Sequence, residues 1–111
     1  MVQLSIQPIN FFSGSVKKNG DHVVLKFQIT LDCGCPTCAG GRFDPERFRV
    51  RLRLFKKDRE ICQLNCSYTG QASQFLCRLP SVRPGKYHLE IDGFDPETGA
   101  AGRLGMSLKV E

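Results

Sequence analysis

Thiols are the residues of this chain best placed to do chemistry. Cys33, Cys35 and Cys38 fall together as C-G-C-P-T-C, and Cys62, Cys66 and Cys77 follow downstream. At such spacings thiols can cross-link, hold a soft metal ion or exchange with other disulfides. Cys35-Pro36-Thr37-Cys38 has the i, i+3 spacing of a zinc or rubredoxin knuckle, and a tetrahedral ion would need a second pair. Cys62 and Cys66 supply that pair only if their strand bends, because four residues of extended chain separate them by about 13 Å. A redox C-x-x-C ordinarily opens a helix in an α/β fold, whereas this one interrupts a β pattern. Structural disulfides are therefore the expected use of Cys33, Cys35, Cys38, Cys62, Cys66 and Cys77. One bridge is expected inside a strand hairpin, and one or two are expected to tie the C-G-C-P-T-C loop to Cys62 or Cys66. Each would contribute about 2 to 4 kcal/mol. A hairpin symmetric about residue 70 or 71 puts Cys77 near Leu64, and a shift or bulge brings it to Cys62 or Cys66.

Other polar residues offer less. His22 and His88 have no Ser, Cys or carboxylate at a diagnostic spacing, so no hydrolase triad is expected and the chain is read as non-enzymatic. Asp92, Asp95 and Glu97 could offer oxygens to calcium, but they lack the spacing of a calcium loop, and solvated turn carboxylates are the plainer reading. Asn65-Cys66-Ser67 formally fits a glycosylation acceptor, although its central cysteine is a bridge candidate. Arg49, Arg51 and Arg53 form a basic stripe, and the expected use is a cross-strand charge ladder with His88, Glu90 and Asp92.

The elements that must hold these residues are strands. In His22 to Leu31 the apolar residues Val23, Leu25, Phe27, Ile29 and Leu31 share one face, the period of a half-buried strand. Arg47 to Phe55 repeats the pattern, with Phe48, Val50, Leu52 and Leu54 inward. Glu60 to Cys66, Gln74 to Leu79, Lys86 to Asp92 and Leu104 to Val110 follow, with Tyr87, Leu89 and Ile91 inward in the third of these. An N-terminal strand near Val2 to Gln7 and a short one near Val16 bring the count to seven or eight. Turn signals recur every 8 to 15 residues or so, and no segment has sustained helical periodicity. Phe-Asp-Pro-Glu occurs twice, at Phe43 to Glu46 and Phe94 to Glu97, and is read as turn chemistry, since Asp-Pro initiates turns.

The 111 residues fit one domain, residues 1–111, whose core does not depend on cross-links. Hydrophobic residues are 41% and charged residues 24%, ordinary for a globular chain, and no apolar run approaches a membrane span. The net charge of +5 would attract anionic surfaces weakly, but the aromatics sit in apolar register, so no specific nucleic-acid partner is expected. The first residues lack a basic start and an apolar stretch. The chain is thus read either as one that stays inside or as a module of a longer exported protein, and six cysteines favour the second.

Leu79-Pro80-Ser81-Val82-Arg83-Pro84-Gly85-Lys86-Tyr87-His88-Leu89-Glu90-Ile91, followed by Asp95-Pro96-Glu97-Thr98-Gly99-Ala100-Ala101-Gly102, resembles the closing half of immunoglobulin-like and fibronectin type III-like modules of bacterial surface and secreted proteins. The match covers about the C-terminal third. It implies an all-β, immunoglobulin-like β-sandwich of seven to eight antiparallel strands in two sheets, with Tyr87 at the tyrosine corner. The family's buried cysteine pair with tryptophan is missing, since the chain has no Trp. With His22 to Leu31 as strand B and Lys86 to Asp92 as strand F, the B–C and F–G loops emerge at one pole, carrying Arg42, Asp44, Asp95 and Glu97. The expected function is a non-catalytic binding or spacer module, extracellular or periplasmic, in a larger exported bacterial protein. Its disulfide-stapled pole would recognise protein or glycan, or other domains of the same chain, without a cofactor. The alternative is a small zinc or thiol redox module using the C-G-C-P-T-C cluster, with Cys35, Cys38, Cys62 and Cys66 as the metal set, and metal binding would place the protein in the cytoplasm.

Overall fold

A computed structural model of the chain describes residues 2–18, 20–80 and 82–111. Met1 and Ser81, which belong to the expected first segment and to the motif before Tyr87, lie outside the described residues. The described chain is built from nine strands: β1 (Leu4–Pro8), β2 (Ser15–Val16), β3 (His22–Leu31), β4 (Arg49–Lys56), β5 (Arg59–Asn65), β6 (Ser67–Tyr68), β7 (Gln74–Pro80), β8 (Gly85–Phe94) and β9 (Ala101–Val110). The sole helical element among them is a 3₁₀ turn, Pro45–Arg47. No helix there is long and apolar enough to cross a membrane.

Strand alternation decides how the layers form. The inward residues of β3 (Val23, Leu25, Phe27, Ile29) and of β8 (Tyr87, Leu89, Ile91) are buried, as are Val50, Leu52 and Leu54 of β4. Two sheets close over this shared core. One has the order β1-β3-β7-β6 and the other β2-β9-β8-β4-β5. All pairings are antiparallel except β2 with β9, so the five-stranded sheet is mixed.

Two boundaries differ from the periodicity. The residues from Pro45 to Arg47, read as leading straight into a strand, form the 3₁₀ turn, and β4 begins at Arg49. The segment from Glu60 to Tyr68 belongs to both sheets. Up to Cys66 it pairs with β4, with the Cys66 N–H donating to the Val50 carbonyl at 2.9 Å. From Ser67 it pairs with β7, Ser67 opposite Leu76. Cys66 is therefore where the chain changes sheets. The β6–β7 register centres between residues 71 and 72, so it runs on to put Cys66, not Leu64, opposite Cys77.

A pair of glycines lets the N-terminal strand approach both sheets. Gly93 and Gly102 are directly opposite on β8 and β9. A Cβ on Gly102 would collide with the Leu4 carbonyl, while one on Gly93 would already touch Ile29 and Ile6. This open spot lets Gln3 bridge to Ala101 of the second sheet while Leu4 to Pro8 pair with β3. Gly102→Ala must push β1 away from β9, and a loss of about 2 kcal/mol is expected in denaturant melts. Gly105→Ala on the same strand meets only the His88 ring at ordinary contact distance and should change stability by less than about 0.5 kcal/mol.

Candidate functional site

The two Phe-Asp-Pro-Glu copies fold alike and come together. Asp44 caps the 3₁₀ turn, its Oδ1 accepting the Glu46 N–H at 2.9 Å, and Pro45 occupies the first helical position. Asp95 repeats the turn, its Oδ1 accepting the Glu97 N–H at 3.1 Å. In each case a short acidic side chain satisfies the backbone two residues on, and proline fixes the next φ. Asp44 uses its second oxygen on the Gly40 N–H at 2.9 Å, which folds the preceding loop back on itself.

Arg47 joins the copies. Its guanidinium reaches Asp95 through Nε at 3.3 Å and a terminal nitrogen at 3.1 Å, and the same terminal nitrogen donates to the Arg42 carbonyl at 2.6 Å. Glu97 lies 3.2 Å from Arg47 Nε on the outer side. Asp95 is 0% exposed, and Thr98 donates its hydroxyl to it at 2.7 Å. Burial works against the charged carboxylate, but the bonds from Arg47, Thr98 and the Glu97 N–H, with the Arg47 charge, outweigh it and hold Asp95 below the usual carboxylate range. The Gly40 and Glu46 N–H groups do the same for Asp44. The pairing with Asp95 holds Arg47 firmly protonated.

The two turns thus meet, and the four candidate residues named on their loops divide. Arg42 is exposed, its guanidinium 5.5 Å over the Phe43 ring, and the Glu97 side chain is 69% exposed. Asp44 and Asp95 are committed to the fold and are not free to contact a partner. Asp92, grouped with them as a possible calcium ligand, instead takes Arg103 at 2.6 Å and Arg53 at 3.7 Å. Sequence reasoning missed Arg47, which it assigned to a strand, and Phe94, whose exposed ring stands beside an open groove of about 480 Å³ lined by Arg49, Arg51, Asn65 and Asp92. The signal for Arg47 was the Asp-Pro-Glu-Arg run, which reads as a capped turn with a base at its end.

The charge ladder is real but shorter than its sequence. Arg53 pairs with Glu90 at 3.3 Å, and His88 lies 3.9 Å from Glu90. Arg51 sits opposite Asp92 in the register, yet the carboxylate turns to Arg103.

The cysteines fall into two sets, Cys33, Cys35 and Cys38 on the exposed loop and Cys62, Cys66 and Cys77 farther along the chain. Cys33 and Cys35 are exposed, with sulfurs 2.8 Å apart. In the second set Cys77 is buried in the core, and the β6–β7 register continued by one residue sets Cys66 opposite it. The Cys77 side chain, then burial, pushes the Cys66 thiol up, and burial foremost does so for Cys62. The zinc set of Cys35, Cys38, Cys62 and Cys66 is not brought together. Among the described residues no three His, Cys, Asp or Glu side chains are arranged to hold a metal. The C-G-C-P-T-C loop has a buried anchor of another kind. Its anchor is Thr37, 1% exposed. The Thr37 hydroxyl donates to the Ile29 carbonyl at 2.8 Å, its N–H donates to Ser73 Oγ at 2.8 Å, and its carbonyl accepts the Ser73 N–H at 2.9 Å. These hydrogen bonds hold the loop at Thr37.

Comparison with known proteins yields no matching family model and no curated relative.

The depressed Asp95 gives a pH dependence of definite sign. A carboxylate held below its unfolded value of about 3.9 contributes stability that is present above that value and lost as pH falls through the folded one. Asp95→Asn should cost about 2 to 3 kcal/mol at pH 7, because it leaves Arg47 without its buried partner. In urea melts from pH 7 to pH 2 the gap between wild type and variant should narrow below about pH 4.

Proposed function

We propose that the chain is an immunoglobulin-like β-sandwich acting as a non-catalytic recognition or spacer module of a larger exported bacterial protein. The strand orders support this reading. Lettering β1, β3, β4, β7, β8 and β9 as A, B, C, E, F and G, with the short β6 as D, makes the sheets A-B-E-D and G-F-C, flanked by β2 and β5. The Tyr87 hydroxyl donates to the Arg83 carbonyl four residues upstream, at 2.6 Å, the bond of a tyrosine corner. The register that sets Cys66 opposite Cys77 supports a hairpin disulfide and with it an extracellular or periplasmic location.

The observation that carries the recognition role is the Arg47–Asp95 pair, which locks the B–C and F–G loops into one surface. Recognition loops are useful when a scaffold holds them in shape, because less ordering is then needed on binding. The locked surface presents Arg42, Phe94 and Glu97, a base, an aromatic ring and an acid, to a protein or glycan.

The test compares wild type with Arg42→Glu on arrays of glycans and of extracellular protein domains. Retention that falls at least about tenfold in the variant, with melting temperature unchanged to within roughly 1 °C, supports recognition at this pole. Equal retention of both proteins moves binding elsewhere, and no retention of either leaves the spacer role alone. Unreduced digestion of protein purified from an oxidising compartment should yield a peptide linked through Cys66 and Cys77, and two free thiols at those positions would contradict the proposed location.

A further inference from the structure

The exposed thiol pair is built by the backbone. Beyond β3 the chain turns in three residues. The Gly34 N–H donates to the Leu31 carbonyl at 2.8 Å, the Leu31 N–H donates to the Cys35 carbonyl at 3.0 Å, and Thr30 bridges to Pro36. Gly34 has φ +90°, a conformation that glycine adopts freely. This is a tight hairpin turn closed by a glycine bulge. It sets Cys33 and Cys35 on either side of the glycine, with their sulfurs in direct contact and both side chains exposed. Two residues on, the buried Thr37 fastens the returning strand to Ile29 and Ser73, so the turn is held at both ends. Cys38, although also exposed, lies beyond this anchor.

The two thiols are not equivalent. A hydrogen bond with the Cys35 thiol, aided by the Cys35 backbone N–H, holds Cys33 below the ordinary thiol range against the opposing charge of Asp32. The same contact holds Cys35 above it. The opposite directions order the pair, with Cys33 as the attacking and Cys35 as the resolving thiol.

We propose that Cys33 and Cys35 form a thiol–disulfide exchange site whose substrate is an accessible disulfide. The Cys33 thiolate attacks one sulfur of the substrate, forming a mixed disulfide and releasing the other sulfur as a thiolate. That thiolate takes the Cys35 proton. Cys35, now a thiolate, attacks Cys33 Sγ, breaks the mixed disulfide and releases the second substrate sulfur, which is protonated from water. The site becomes a Cys33–Cys35 disulfide, oxidised by two electrons, while the substrate disulfide is reduced to two thiols. A thiol co-substrate runs the sequence backwards. The exchange activity goes beyond the non-catalytic reading of the module, and none of its steps depends on the recognition role proposed for the loop pole.

The reduced protein is incubated separately with oxidised glutathione and with a disulfide-bonded peptide, quenched in acid, alkylated and mapped. The expected product is a Cys33–Cys35 disulfide with two equivalents of released thiol. Cys35→Ser should stop at a mixed disulfide on Cys33 with one equivalent, Cys33→Ser should react roughly tenfold more slowly, and Cys38→Ser should behave as wild type. The pH midpoint for alkylation of Cys33 should rise in Cys35→Ser, and the melting temperatures of all three variants should match wild type. Reaction in the peptide arm alone assigns the site to polypeptide disulfides, and reaction in both arms assigns it to small disulfides as well. Mixed disulfide on Cys38, full release from Cys35→Ser, or no reaction in either arm overturns the proposal.

Discussion

A carboxylate with no exposed surface needs compensation for its lost water, and Asp95 obtains it from three directions. Arg47 comes from the turn before β4, Thr98 and the Glu97 N–H from its own loop. The connection from Asp32 to Phe48 has no strand of its own to fix it. Left alone it would sample many conformations, but a charge that cannot be left unpaired in the interior selects the one in which Arg47 is delivered to it. The same arginine closes on the Arg42 carbonyl, so that the whole descending half of the loop follows from one ion pair. Asp44 then folds the ascending half onto Gly40.

The sandwich provides the frame on which that pair can form. β8 carries Asp95 just past its end and β4 carries Arg47 just before its start, and the two strands are antiparallel neighbours with Arg49 opposite Phe94. Their register brings the two Asp-Pro turns to the same height. On the four-stranded sheet Thr37 performs a similar service, reaching from the loop to the carbonyl of Ile29 on β3 and to the hydroxyl and N–H of Ser73 just before β7. The long connection is thus pinned twice by buried polar contacts, and its thiols stay outside.

Much of this was legible wherever a single physical rule governed the residues. Alternation over His22 to Leu31 gave the bounds of β3 without error, and it turned Tyr87, Leu89 and Ile91 inward as observed. Asp followed by Pro identified both turns. Alternation misled where it ran unbroken across a change of partner: Cys62, Leu64 and Cys66 keep one phase although the chain leaves one sheet for the other at Cys66. It misled again at Arg47, whose place in an Arg-Phe-Arg-Val run imitates a strand while Pro45 sets a 3₁₀ turn. Long-range partners carry no local signal. Nothing near Thr37 announces Ser73, and nothing near Asp95 announces Arg47, because each pairing depends on the three-dimensional register of distant strands.

The loop surface and the thiol turn are therefore two consequences of one connection held rigidly over a β-sandwich. The central claim is that Arg47 and Asp95 act as a coupled unit, and a double-mutant cycle of Arg47→Met, Asp95→Asn and the combined variant measures it directly. A coupling free energy of about 2 kcal/mol at neutral pH is the predicted result. Additivity of the two single losses to within about 0.3 kcal/mol would contradict the account.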